Sequence, residues 1–282
     1  PVMVRFDAYS ATMVGPKPGD LLGIIVQQTG LGEHITYSQG KGFHTFGERI
    51  GVKSGGIEVG SVMWGGRQGD RVMIEVKGEH TPGAVEQLRS AFPHRVTRAD
   101  ACADFDRLGA FEELLGPCLE VKKAHRLKGS KAGDWEDFPE DGRTLYLGST
   151  ASAVRVRLYE KGKQPEYRHL DKPNWARVEV QARPAKEAKE EFSRLTPLEV
   201  WGASAWTREL AGKVLAQHVD PHPAGTVYRL SERDAALEWM CKQYGVHLCS
   251  LAGDLGGWKE LGLTLGEMLK EQQQAKARGK AH

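Results

Sequence analysis

The 282-residue sequence predicts an α+β fold: a mainly antiparallel sheet with helices on one face, an open polar face opposite, and a helical appendage at the C-terminal end. Three observations carry that expectation. Residues 71–77, 97–106, 153–161 and 176–183 alternate apolar and polar side chains with period two, which gives a strand that buries only one face. Between the alternating runs stand either Gly-rich turns or stretches with helical spacing. After about residue 196 alternation gives way to helical spacing, so the chain divides into a 1–195 sheet domain and a 196–282 helical region.

The elements follow in order. Residues 3–13 read as a first strand, and residues 20–28 as a helix capped by Asp20 and stopped by Gly30. A three-stranded meander occupies 48–52, 56–64 and 71–77. Residues 81–92 read as a helix with Pro82 in its first turn, ahead of the 97–106 strand. Residues 110–125 have helical spacing that Gly116-Pro117 should kink or split. Residues 126–142 read as a polar loop, with the basic half of this region spanning 122–131. Strands at 144–149 and 153–161 are joined by a tight turn, and the 176–183 strand leads into a charged helix beginning at Pro184. Helices at 198–217, 231–243 (with a Ser231-x-x-Asp234 cap) and 255–270 precede a charged tail.

Composition bounds the function loosely. With 40% hydrophobic residues the chain can bury a substantial core, and a formal charge of +2 is too small to argue nucleic-acid binding by itself. Four cysteines without CxxC spacing do not form a disulfide framework. No apolar run reaches about 18 residues, so no membrane partner is expected and a cytoplasmic location is the default reading. The Gly-rich stretches lack the GKS/T of a phosphate loop, so ATP use is not indicated.

The chemistry lies on the polar sides of the strands. Val154, Val156 and Leu158 point one way, and Arg155, Arg157, Tyr159 and Lys161 the other. One tyrosine thus stands in a row of cations, which favours its phenolate and would activate it. Alternation likewise puts Arg98, Asp100, Cys102, Asp104 and Asp106 on one side, and Arg177, Glu179, Gln181 and Arg183 on one side. Neighbouring in one sheet, they would form a surface of carboxylates and arginines around Tyr159. Asp100, Asp104 and Glu179 are then candidate ligands of a divalent cation, with Glu75 a further carboxylate on that side. Tyr146 shares the face as a stacking residue or a rival nucleophile, whereas Tyr9, Tyr37, Tyr167, Tyr228 and Tyr244 read as structural. The bland alternatives are a sheet tyrosine with a satisfied hydroxyl and a lattice of salt bridges involving Arg98 or Arg177.

Four motifs, TRxDxxxDFD (97–106), TLYLGSxxS (144–152), RLYEKGKQ (157–164) and RVEVQARP (177–184), resemble those of rolling-circle replication initiators, the Rep_trans family of plasmids and filamentous phages. The resemblance runs from about residue 4 to about residue 189. It implies a site-specific nickase that cuts one strand at an origin by metal-dependent transesterification and stays linked to the 5′ phosphate through a tyrosine. That role falls on Tyr159, with Lys161 and Arg157 beside it, and the cofactor is Mg²⁺ or Mn²⁺. Arg98, Tyr146, Arg155, Arg177 and Gln181 would bind nucleic acid. The implied partner is origin DNA, a hairpin with a single-stranded segment, with a host helicase for unwinding; a homodimer is compatible. The alternative is an origin-binding or replication-control protein that uses the same face without chemistry. It draws on the modest charge and on Gln181, where a second acid could have stood. A single-stranded RNA binder is a third reading.

Overall fold

The computed structural model describes residues 2–29, 34–225 and 232–279. In chain order the elements are β1 (Val4–Val14), α1 (Pro18–Gln28), β2 (Ile35–Lys41), β3 (Glu48–Ser54), β4 (Ile57–Trp64), β5 (Arg71–Lys77), α2 (Thr81–Ala91), β6 (Arg95–Asp106) and α3 (Ala110–Ala124). They continue with β7 (Gly129–Ala132), β8 (Thr144–Leu147), β9 (Val154–Glu160), β10 (Trp175–Ala182), α4 (Ala188–Glu191), α5 (Pro197–Val200), α6 (Ala205–Leu215), α7 (Glu232–Leu255) and α8 (Trp258–Gly279).

The ten strands form one antiparallel sheet in the order β2-β3-β4-β5-β1-β6-β10-β9-β8-β7. The chain folds into two compact units, Pro1–Val227 and Tyr228–His282. The first unit runs past residue 195 because α5 packs on β1 and β6, and α6 packs on α3. The second unit consists of α7 and α8 packed on each other.

Alternation accounts for the core. Val72, Ile74 and Val76 of β5, Ala99, Ala101, Ala103 and Phe105 of β6, Val156 and Leu158 of β9, and Val178 and Val180 of β10 all enter one buried cluster. The helices cover that side: α1 brings Leu21, Ile24 and Ile25, α2 brings Val85 and Leu88, and α3 brings Phe111 and Leu114. Each such buried side chain contributes about 1.5–3 kcal/mol of transfer free energy. The opposite face is polar along β6, β10 and β9, and toward β4 and β5 it carries a small buried cluster of Phe46 with Met63 and Met73.

Several local expectations change. Helix α1 starts at Pro18, and Asp20 sits in its first turn, where its carboxylate accepts from the Lys17 amide at 2.7 Å. Helix α3 is continuous through Pro117; the carbonyl that loses its hydrogen bond to the proline belongs to Glu113, an exposed residue, so solvent is available to it. The charged helix after Pro184 shrinks to the four residues of α4. The 198–217 helix divides at Ser204, whose hydroxyl caps α6. The expected charged tail continues α8 to Gly279. Strands β2 and β7 lie where no strand was expected. Both are edge strands with mostly exposed side chains, so they carry no alternating apolar signal, and their lysines guard the sheet edge. Gly30, Tyr228 and Ser231 lie outside the described residues.

Leu158 is fully buried. Leu158→Ala should lower the unfolding free energy by about 2–5 kcal/mol, read as a lower urea midpoint with an unchanged m-value.

Candidate active site on the open sheet face

The register sets the site. Arg177 of β10 stands between Asp104 on β6 and Tyr159 on β9, Glu179 between Cys102 and Arg157, and Gln181 between Asp100 and Arg155. Tyr146 of β8 is opposite Arg157. The structure therefore brings all the candidate residues on β6, β8, β9 and β10 onto one face, in two distinct groups.

The first group surrounds Arg177, whose side chain is 1% exposed. Its Nη1 donates to Asp7 at 2.7 Å, its Nε to Asp104 at 2.6 Å, and its Nη2 to Asp104 at 3.0 Å. Trp175 Nε1 donates to the same Asp104 carboxylate at 2.7 Å, and Arg5 lies 3.6 Å from it. Asp7 escapes simple alternation. Register shifts in β1 between Phe6 and Ala8 and between Ser10 and Ala11 mark irregularities, which let Asp7 and Ser10, three residues apart, both meet partners on the open side. No local sequence signal announces such a bulge.

The second group holds Tyr159. Its hydroxyl donates to Glu179 Oε2 at 3.2 Å, and Arg157 donates to Glu179 Oε1. Glu179 is fully buried and within hydrogen-bonding reach of Asp100. Burial, and then the Asp100 charge, push the Glu179 carboxyl above its ordinary value, against the pull of Arg157. Asp100 accepts two bonds from Arg98 and one from Gln181 at 3.2 Å. Two adjacent carboxylates in a dry site favour one shared proton or a bound cation.

Three expectations are corrected by this geometry. Tyr159 is 4% exposed, and burial followed by the Glu179 charge raise its phenol well above 10, outweighing Arg177 and Arg157. The row of cations does not produce a phenolate here. Asp104 is drawn away to Arg177 and Trp175, and does not stand with Asp100 and Glu179. Among the described residues no group of three or more His, Cys, Asp or Glu side chains is placed to hold a metal ion. The Asp100–Glu179 pair still fits two ligands of a divalent cation, because a cation would relieve the repulsion that now raises the Glu179 carboxyl. Tyr167 is not remote: Lys161 Nζ lies 3.7 Å from its ring centroid.

After β9, Lys161 lies between the rings of Tyr159 and Tyr167, 5.7 Å and 3.7 Å from their centroids. Gly162 passes so close to the Lys172 carbonyl that a Cβ there would lie 1.7 Å from that oxygen, which explains the glycine of RLYEKGKQ. Lys161 is buried, and burial, then Arg177, lower its ammonium to about 8. The outer cations are freer. Arg155 stacks at 4.0 Å on the Tyr146 ring, and burial, Arg157 and Arg183 depress its guanidinium. The Nε atoms of Arg155 and Arg157 are buried without a hydrogen-bond partner, a charge and donor set suited to an incoming anion. Glu75 accepts from Ser10 and Ser61 and is separate from the Asp100–Glu179 pair.

Removing Arg177 strands two carboxylates. Arg177→Met should cost about 3–5 kcal/mol, and Asp104→Asn added to it should cost less than the sum of the single changes in a denaturation cycle. Glu179 supplies a pH test. Its raised native value means that, above the ordinary Glu value of about 4.3, the folded state holds more protons than the unfolded state, so stability falls as pH rises toward the native value. Glu179→Gln removes that loss, so its stability relative to the parent should improve as pH rises above the ordinary Glu value of about 4.3, measured by urea titration at several pH values. A difference that does not change with pH would contradict the shift.

A search of curated proteins gives no match. The rolling circle replication initiator protein from Geobacillus stearothermophilus is similar in structure, with 19% sequence identity, a TM-score of 0.44, and coverage of 65% of this chain and 75% of that one. The model of the replication initiation factor family, Rep_trans, matches residues 95–247. That interval holds more than half of the chain and all four sequence motifs, and the chain belongs to the replication initiation factor family.

Proposed function

We propose that this replication initiation factor works by the rolling-circle route, nicking and rejoining one strand of origin DNA through Tyr159. The observation that carries the reading is the Tyr159–Glu179 hydrogen bond, at 3.2 Å, in a field of arginines. A phenol held neutral needs a base as it attacks, and Glu179 is in contact with its proton, with a proton affinity raised by burial and then by Asp100. Tyr159 Oη attacks the scissile phosphorus and its proton passes to Glu179 Oε2. The P–O3′ bond breaks, and the departing 3′ oxygen takes a proton from the Lys161 ammonium. The product is a 5′-phosphotyrosine and a free 3′ hydroxyl that primes synthesis. Reversal by a 3′ hydroxyl reseals the strand.

Arg157 and Arg155 bring positive charge to the phosphate, and Arg155 with Tyr146 forms a platform for an unpaired base. Arg98 and Gln181 hold Asp100, while Arg177 positions the Tyr159 strand. Asp100 and Glu179 would hold Mg²⁺ or Mn²⁺, which when bound supplies charge to neutralise the phosphate. An open sheet face with stacking and cationic side chains suits a single-stranded segment, such as one exposed in an origin hairpin. A separate helicase would unwind the duplex ahead.

One observation favours a second reading, an origin-binding protein without chemistry: Tyr159 is 4% exposed and its phenol stays protonated. Incubation with supercoiled origin DNA and Mg²⁺ or Mn²⁺, followed by mass mapping of any adduct, separates the two. An adduct on Tyr159 that chelation abolishes supports the nickase. Origin binding with no adduct supports the second reading, and an adduct on Tyr167 transfers the nucleophile's role. Tyr159→Phe should lower nicking by about a thousandfold or more and leave origin binding within about twofold of the parent.

A further inference from the structure

The open face holds a second built feature beside the Tyr159 group. A cleft of about 600 Å³ has its floor on β1, β5 and β6, where Ser10, Thr12, Thr97 and Arg98 line it. One wall carries His44, Phe46 and Gln68, and the other carries Arg183 and Lys189. Arg98 joins the cleft to the site, because its guanidinium binds Asp100.

The first wall is constructed under strain. His44 and Thr45 both have positive φ, 53° and 68°, a conformation that is costly for a β-branched residue. Gln68 Nε2 holds them, donating at 2.8 Å to the His44 carbonyl and at 2.8 Å to Thr45 Oγ1. Phe46 anchors the loop on Met63 and Met73. Gly66 permits the approach: a Cβ there would lie 2.5 Å from the Thr45 carbonyl oxygen. The loop therefore stands over a polar sheet face at a conformational cost, as binding loops do.

Charge indicates the occupant. Arg71, Arg183 and Lys189 line the cleft, and Glu75 is the carboxylate among its lining residues. Arg98 is already neutralised by Asp100. Among the described residues Arg71 and Arg183 donate to neutral oxygens, Gln68 Oε1 at 3.2 Å and the Thr150 carbonyl at 2.7 Å. Burial, then Arg95 and Arg71, pull the Lys189 ammonium below its ordinary value, as expected of cations crowded without a counterion. Arg71 also lines an adjoining hollow with Arg89, Arg95 and Arg194, where Glu190 pairs with Arg194.

We propose that this cleft binds the sugar–phosphate backbone of the single DNA strand that flanks the scissile phosphate, with Arg71, Arg183 and Lys189 on its phosphates and the His44 loop as its retaining wall. The proposal rests on the nickase reading only for the word scissile; its substance is a single-strand subsite.

The test is binding of a fluorescein-labelled oligo(dT) of about 20 nucleotides, followed by anisotropy across a KCl series. Arg71→Glu/Lys189→Glu should weaken binding about tenfold or more and flatten the slope of log K against log salt by about 1.4, two phosphate contacts at about 0.7 each. Lys213→Glu, on α6, which packs on α3, is the charge control and should leave the slope unchanged. Should the reversal variant fold poorly, Arg71→Gln/Lys189→Gln reads the same slope. Affinity and slope equal to the parent's overturn the subsite. A flattened slope in a protein that forms no tyrosine adduct retains the subsite while the nickase reading falls; an adduct-forming protein with an unchanged slope loses the subsite alone.

Discussion

Arg177 is the cation around which the open face is arranged. A guanidinium that is almost wholly out of water has to be matched by acids on more than one side, and here Asp7 and Asp104 reach it from the two strands β1 and β6. Breaking such a set is costly because each orphaned charge would stay buried. The pairing therefore ties β1, β6 and β10 together on the face opposite α1, α2 and α3. It also decides which acids remain for other work. With Asp104 committed to Arg177, the carboxylates left beside Tyr159 are Asp100 and Glu179.

That division explains the state of the tyrosine. Tyr159 has cations on its flanks, with Arg157 5.3 Å and Lys161 5.7 Å from its ring centroid, yet its hydroxyl proton is directed at a carboxylate. In a dry site the nearest acid and the loss of water outweigh cations that lie over the ring. Under the nicking reading the phenol is kept neutral until a phosphate displaces the local pairings, so the side chain does not react prematurely. Lys161 and the loop closed by Gly162 share in that covering.

Much of this architecture was legible in the chain. Period-two alternation in residues 71–77, 97–106, 153–161 and 176–183 assigned the apolar side chains to the core and the residues around Arg177 and Tyr159 to the open face, though Thr97 beside Arg98 lines the open cleft against the pattern. Alternation, however, reports a face and not a partner. It could not show that Asp104 turns to Arg177 while Asp100 turns to Glu179, since both acids lie on the same side of one strand. It failed at β1, where the bulge lets Asp7 and Ser10 share a face, and at the polar edge strands β2 and β7, which have no apolar side to betray them. Pro117 misled for a similar reason: its cost depends on whether the freed carbonyl meets water, a matter of tertiary placement.

The position of β1 has a consequence for synthesis. The strand made first lies between β5 and β6, in the interior of the sheet, so both of its edges wait for partners that the ribosome delivers much later. Its acid, Asp7, cannot meet Arg177 until β10 has emerged. The tyrosine site is therefore not assembled before β10, and it closes only when the first and last strands of the sheet find each other. Contacts between residues so far apart in the chain are slow to form, and the speed of maturation should be set by that closure rather than by the hairpins between.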